Sequence, residues 1–247
     1  MQQKKIYLLF SLSLIFLLSS CAPGINIVVD ETLAIDLEFA SALEASIEPQ
    51  IRSLMGLDAK SALFQKEAIE TSLTKSGFSI DAILLPSPIA VEIESKKQIL
   101  KNNANPLAEF LSIEKHENKV CFTICISPEI MQNLIQSMPS EIQEYADLLM
   151  APALTDEEME AEEYLSLFSL VYGQSLSKAF ENSFVKIAIR APKKITSASV
   201  SHTDLASIHV DADTAHLSLS LYALLALHKN SKPLANNKLI IELNWNS

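Results

Sequence analysis

Five stretches of this chain carry an apolar side chain at every second position. That period is satisfied by β-strands with one buried face, because successive strand side chains point to opposite sides. In 32–39 the apolar set is Leu33, Ile35, Leu37 and Phe39, against Ala34, Asp36 and Glu38. In 184–191 it is Val185, Ile187 and Ile189; in 214–222, Leu217, Leu219 and Leu221; in 238–245, Leu239, Ile241, Leu243 and Trp245. The fifth, 119–126, contains Val120, Phe122 and Ile124. A helix built from the same letters would scatter these residues around its axis. One wet face and one buried face is the pattern of an antiparallel sheet.

Between these runs the period changes. Residues 25–29 and 32–39 predict a hairpin around Asp30 and Glu31. Ser41 with Glu44 forms a capping-box pattern, followed by Leu43, Ile47, Ile51 and Leu54 at helical spacing. Pro49 is expected to kink or split that helix and Gly56 to end it. A second helix is expected over 61–75. Extended runs follow at 78–85 and 89–94, parted by Pro86 and Pro88. A further hairpin is expected from 109–115 and 119–126, turning at His116, Glu117 and Asn118. Ser127, Pro128 and Glu129 then supply the cap, first-turn proline and acid of a helix start. Helices are expected from there to Pro139, from Ser140 to Pro152, and from Thr155 through Leu176. This reads as a three-helix insert at about 127–177 before strands return at 184–191, 205–210, 214–222 and 238–245. The predicted fold class is α+β: a mostly antiparallel sheet with packed helices and that insert, in a single domain over 21–247.

The first twenty-one residues give an address. Lys4 and Lys5 precede a run, 6–18, that is apolar except for Ser11 and Ser13, and Leu18-Ser19-Ser20-Cys21 closes it. The run is too short to span a bilayer comfortably and has the layout of a secretory signal. Its ending resembles the lipobox of bacterial lipoproteins. The resemblance implies that residues 1–20 are removed as a signal peptide and that Cys21 is diacylated and becomes the first residue. Only Ala22, Pro23 and Gly24 then separate the lipid from the first predicted strand, within about 10 Å at full extension. Ala22 stands where an Asp would favour retention at the inner membrane, so the sorting rules of lipoproteins imply the outer membrane, facing the periplasm.

Without its first twenty residues the chain has 227, and losing Lys4 and Lys5 leaves 17 basic against 30 acidic residues, a net charge of −13. Such a surface repels nucleic acid, whose binding relies on Lys and Arg at phosphates. It repels anionic headgroups as well; a strongly attracted partner would be basic. Four glycines in the whole chain exclude Gly-rich phosphate loops. Past Cys21 only Cys121 and Cys125 remain. Four residues of strand span about 13 Å, and a disulfide needs Cα atoms about 4.4–6.8 Å apart. The two are therefore expected to be unbridged, buried thiols on one sheet face.

The stretch Leu149-Met-Ala-Pro-Ala-Leu-Thr155, then Glu163-Tyr-Leu165 and Val171-Tyr-Gly173, resembles motifs of bacterial membrane lipoproteins. So do Ala191-Pro192 after a strand and a last strand closing with Trp245. Distantly the body of the chain is similar to LppM-type lipoproteins, an α+β class. The resemblance implies a fold and a location and brings no catalytic residues.

Three features bear on chemistry. His202, His209 and His216 recur every seven residues with Asp204, Asp211 and Asp213 between them. His and carboxylate ligands suit metals, but an odd spacing alternates faces of a strand. Only a hairpin at Asp211-Ala-Asp213 brings His209 near His216, and ordinary surface histidines explain the series without a metal. Asp156-Glu-Glu-Met-Glu-Ala-Glu-Glu163 packs six acids into a helix start, where the dipole favours them; a docking patch for a basic partner is the sharper alternative. Finally, Leu148, Leu149, Met150 and Leu154 surround a helix end, and Met131, Met138, Met150 and Met159 make the insert adaptable. These residues offer a candidate binding surface; the plainer reading buries them, with Leu134, Tyr145, Tyr164, Phe168 and Val171, between insert and sheet.

No GxSxG, HExxH or CxxC pattern occurs. The expectation is a membrane-anchored envelope lipoprotein that binds or scaffolds rather than catalyses, with no catalytic residues, cofactor or metal. The alternative is a carrier sheltering a lipid or other apolar ligand; a hydrolase with a dispersed triad ranks lower.

Overall fold

A computed structural model describes residues 21–54, 57–58, 61–75, 79–95, 97, 108, 110–127, 129–130, 161–220 and 238–247. The elements in chain order are strands β1 (Cys21–Val29) and β2 (Ile35–Ala42), helices α1 (Glu48–Leu54) and α2 (Lys66–Lys75), and strands β3 (Ile80–Ser87), β4 (Ala90–Ser95), β5 (Leu111–His116) and β6 (Lys119–Ile126). Helices α3 (Ala161–Tyr172) and α4 (Gln174–Glu181) follow, then strands β7 (Phe184–Arg190), β8 (Ile195–Val200), β9 (Ala206–Asp211), β10 (Thr214–Ser220) and β11 (Leu239–Asn246). The fold is α+β and its strand pairs are mostly antiparallel.

The strands form two sheets. One has seven strands in the order β3-β4-β2-β1-β7-β10-β9, the other four in the order β5-β6-β11-β8. The alternation predicted from sequence sets the faces. Leu239, Ile241, Leu243 and Trp245 on β11 are all buried, as are Val120, Phe122 and Ile124 on β6, and Ile187 and Ile189 on β7. These join one apolar cluster with Ile47 and Ile51 near or on α1, Ile69 on α2, Tyr164 and Phe168 on α3, and Leu176 and Phe180 on α4. β1 pairs antiparallel with β2 and parallel with β7, Ile25 lying opposite Ile187 and Ile27 opposite Ile189. That parallel pair joins segments far apart in sequence and has no local signal. The chain crosses between sheets after β7, where the Ala191 and Ile195 amides donate to the Asp213 and Ala212 carbonyls at 2.8 and 2.9 Å.

Several expectations are corrected. Ser41 lies on β2, not at a helix cap, and its hydroxyl is buried without a hydrogen-bond partner among the described residues. The helix starts instead at Glu48, so Pro49 occupies its first turn, where the missing N–H costs nothing, and no kink results. Arg52, 6% exposed, fastens α1 to the following loop: it meets Glu48 at 2.7 Å and donates to the Asp58 and Ser61 carbonyls at 3.0 and 2.6 Å. α2 begins at Lys66 rather than near Ser61. β8, not predicted, pairs with β11 through Ile195, Ala198 and Val200, although Thr196, Ser197 and Ser199 dilute its alternation.

Of the predicted insert, 128 and 131–160 lie outside the described residues. Its start is visible: the Ile130 amide donates to the Ser127 hydroxyl at 3.2 Å, the N-cap bond expected there. Its third helix is two. Gly173, at φ 89°, breaks the run in a conformation L side chains avoid, so Leu176 belongs to α4, which continues to Glu181 past the expected end.

Candidate functional site

Cys21, the predicted lipidation site, is the first residue of β1. Its partner across the ladder is Ala42, which lies opposite Ala90, which lies opposite Ser87. Leu18, Ser19 and Ser20, which precede Cys21, lie outside the described residues, as do Leu148, Leu149, Met150 and Leu154. Only the tail of the acidic run is described: Glu162 and Glu163, both exposed, in the first turn of α3.

β1 carries the chain from Cys21 to a turn built on Asp30. The Asp30 carboxylate accepts from the Thr32 amide at 2.8 Å, the Thr32 hydroxyl at 2.6 Å and the Ala34 amide at 3.0 Å, and it pairs with Lys97. This clasp lets Leu33 adopt φ 64°, which no glycine relieves. The Lys97 ammonium first, then the Thr32 hydroxyl, hold the Asp30 carboxyl well below the ordinary carboxylate range, and Asp30 in turn raises Lys97. Beside the turn, Lys115, Lys193 and Trp245 join Glu31, Thr32 and Leu33 around a cleft of about 440 Å³ where the two sheets meet. Trp245 is only 1% exposed, so its indole packs in the core rather than stacking on a ligand.

A second concave region lies on the α3–α4 hairpin, a shallow groove of about 570 Å³ between Leu165, Ser169 and Leu170 on one side and Ser177, Lys178 and Glu181 on the other. The hairpin is held by an aromatic stack: Phe168 lies 4.6 Å from Tyr172, 5.4 Å from Phe180 and 6.1 Å from Tyr164, centroid to centroid. Burial pushes the Tyr164 phenol above its ordinary range. Val171 is not in this core, contrary to expectation. With Leu167 and Leu170 it forms an i, i+3, i+4 ridge that flanks the aromatic stripe on α3, exposed by 70%, 45% and 83% respectively.

The remaining candidates resolve simply. β9 and β10 form a hairpin, the one arrangement that brings His209 near His216: the two lie directly opposite each other and both are exposed. Among the described residues no three metal-ligating side chains come together. Cys121 and Cys125 are free and share one face of β6, as expected. That face is the one opposite Phe122 and Ile124, so the thiols are half-buried rather than buried. Asp36 and Glu38 on β2 and Glu92 and Glu94 on β4 stand exposed on the open face of the seven-stranded sheet, with Glu38 opposite Glu94. Lys186 and Arg190 on β7 stand on the same face two strands away.

No protein-family model matches this chain, and no curated protein matches it. Among solved structures it is similar to the folded domain of LppM from Mycobacterium tuberculosis, at 7% identity and a TM-score of 0.38, covering 93% of this chain and 92% of that one.

Proposed function

We propose that this chain is an envelope lipoprotein, anchored through acylated Cys21, whose domain binds or scaffolds a partner at the outer-membrane surface facing the periplasm, rather than catalysing a reaction. The observation that carries the binding role is the ridge of Leu167, Leu170 and Val171. Three large apolar side chains at helical spacing stand in solvent beside a groove, while Tyr164, Phe168 and Phe180 fill the core behind them. Exposed contiguous apolar surface on a soluble domain marks an interaction site. A carrier would turn such residues inward around its ligand; here they point out. The groove's Lys178 and Glu181 supply a polar rim of both signs.

A photo-crosslinker at position 170 in the cell envelope tests this reading. One discrete protein adduct is expected from that position and none from position 209 on the sheet face. Leu170→Ser combined with Val171→Ser should leave the thermal midpoint nearly unchanged, since exposed positions rarely shift stability by more than about 0.5 kcal/mol. A lipid retained by the protein through detergent-free purification and seen by native mass spectrometry, with no adduct from position 170, would replace the scaffold reading with the carrier.

A further inference from the structure

Among the described residues the exposed large apolar side chains fall into two groups: the ridge on α3, and a second group made of Leu84 and Leu85 on β3 and Phe184 on β7, exposed by 50%, 39% and 42%. The strand register gathers this second group at one end of the seven-stranded sheet. Gly24 lies in a row with Ala40, Glu92 and Leu84 on one side and with Lys186 on the other. Leu85 is one residue beyond that row and Phe184 two residues beyond it, both toward Cys21. This is therefore the end at which β1 begins.

The same end is free of charge along its strands. Beyond the Gly24 row stand Cys21, Ala22 and Pro23 on β1, Ser41 and Ala42 on β2, and Ala90 and Val91 on β4. Leu85, Pro86 and Ser87 stand there on β3, with Phe184 and Val185 on β7 and Leu219 and Ser220 on β10. None is Asp, Glu, Lys, Arg or His, in a chain of which 20% of residues are charged. Charge begins in the Gly24 row itself, with Glu92 and Lys186, and continues with Glu38 and Glu94 in the row after the next. The uncharged band is two residues tall on most strands and three on β1 and β3, where the register shifts, or about 7–10 Å.

We propose that this strand end is a membrane-seating surface, in which Leu84, Leu85 and Phe184 enter the interfacial layer of a zwitterionic phospholipid leaflet. The proposal rests on acylation of Cys21, which would hold this end at the bilayer through no spacer. The band height matches the about 5–10 Å that interfacial apolar surfaces sink into the headgroup and acyl boundary. The leaflet is zwitterionic because, among the described residues, Glu181 at the end of α4 and Asp204 in the connection before β9 stand exposed at this end; an anionic surface would repel them. Seating also fixes orientation. The cleft at the Asp30 turn lies at the far end of β1, about 26 Å from the bilayer along eight strand rises, and it faces the aqueous compartment with Trp245 among its lining residues.

Trp245 is the chain's single tryptophan, which makes the test direct. The acylated full-length mature protein is reconstituted in phosphatidylcholine vesicles, with or without bromine on the acyl chains. Wild-type emission from Trp245 should be unaffected by bromine. Phe184→Trp, and separately Leu84→Trp, should add blue-shifted emission that brominated chains quench, and adding phosphatidylglycerol should weaken the quenching. Added emission that is not quenched in either variant, in protein that floats with the vesicles and carries its acyl chains, overturns the seating while leaving the anchor standing. Absence of acyl mass on the N-terminal peptide overturns both. A protein partner that shields position 184 from quencher in native membranes, with no quenching in vesicles, also overturns it.

Discussion

Phe168→Ala tests whether α3 docks through the stripe of Tyr164, Phe168 and Tyr172. Phe168 is 3% exposed and contacts three aromatic rings. An aromatic side chain buries about 150–250 Å², and after allowing for the methyl group that remains, about 25 cal/mol per Å² gives a transfer loss of about 3–4 kcal/mol. Incomplete collapse around the void adds a cavity cost, which brings the expectation to about 3–5 kcal/mol. That is a large share of a typical total of about 5–15 kcal/mol. In a chain of this size each kcal/mol moves the midpoint by about 2–4 °C, so melting should fall by about 6–20 °C. Urea unfolding followed by circular dichroism measures it, with Val171→Ala as the exposed control, expected within about 0.5 kcal/mol of wild type. A loss under about 1 kcal/mol for Phe168→Ala, at unchanged denaturant dependence, would refute the docking of α3 through this stripe.

Asp30→Ala should cost about 1–3 kcal/mol by leaving the Thr32 and Ala34 donors without their acceptor. Because the folded-state pKa of Asp30 is depressed, its contribution is present above the unfolded value of about 4 and lost as pH falls toward the folded value. The deficit of the variant should therefore be full at neutral pH and shrink below about pH 4; a pH-independent deficit would contradict the ionised clasp. Ser41→Ala should leave stability unchanged or slightly raise it, since it removes a buried hydroxyl without a partner; a loss above about 1 kcal/mol would reveal a bond that this geometry lacks. Alkylation without reductant should label both Cys121 and Cys125, and an intramolecular bridge would contradict their placement on one strand.

The strands most legible in sequence are those with one buried and one wet face. β11 is the clearest, since all four of its alternating apolar residues reach the core. β8 was hidden because it is an edge strand held by its ladder to β11, and Thr196, Ser197 and Ser199 need no burial there. Ser41 and Glu44 match a capping box locally, yet pairing of Ser41 with Val91 extends β2 through the site and the ladder prevails. α3 shows the limit of helical periodicity. Leu165, Leu167, Phe168, Leu170, Val171 and Tyr172 make it apolar nearly all round, so the pattern identifies a helix without saying which face docks. The ring contacts of Phe168 decide that, and they expose Leu170 and Val171. The division into two sheets, the parallel pairing of β1 with β7 and the uncharged strand end all depend on partners distant in sequence. The resemblance of Leu18-Ser19-Ser20-Cys21 to a lipobox, in contrast, is a local signal read from the sequence alone.

Mass spectrometry of the N-terminal peptide from membrane-extracted protein tests the central claim most directly, read beside fractionation of Cys21→Ala. The expected result is a peptide that begins at Cys21 and carries acyl chains, and a Cys21→Ala protein that loses this modification and, once free of residues 1–20, leaves the membrane. Among the described residues no helix is long and apolar enough to hold it there. A mature chain that begins elsewhere, an unmodified Cys21, or a processed Cys21→Ala protein still tightly membrane-bound would contradict it.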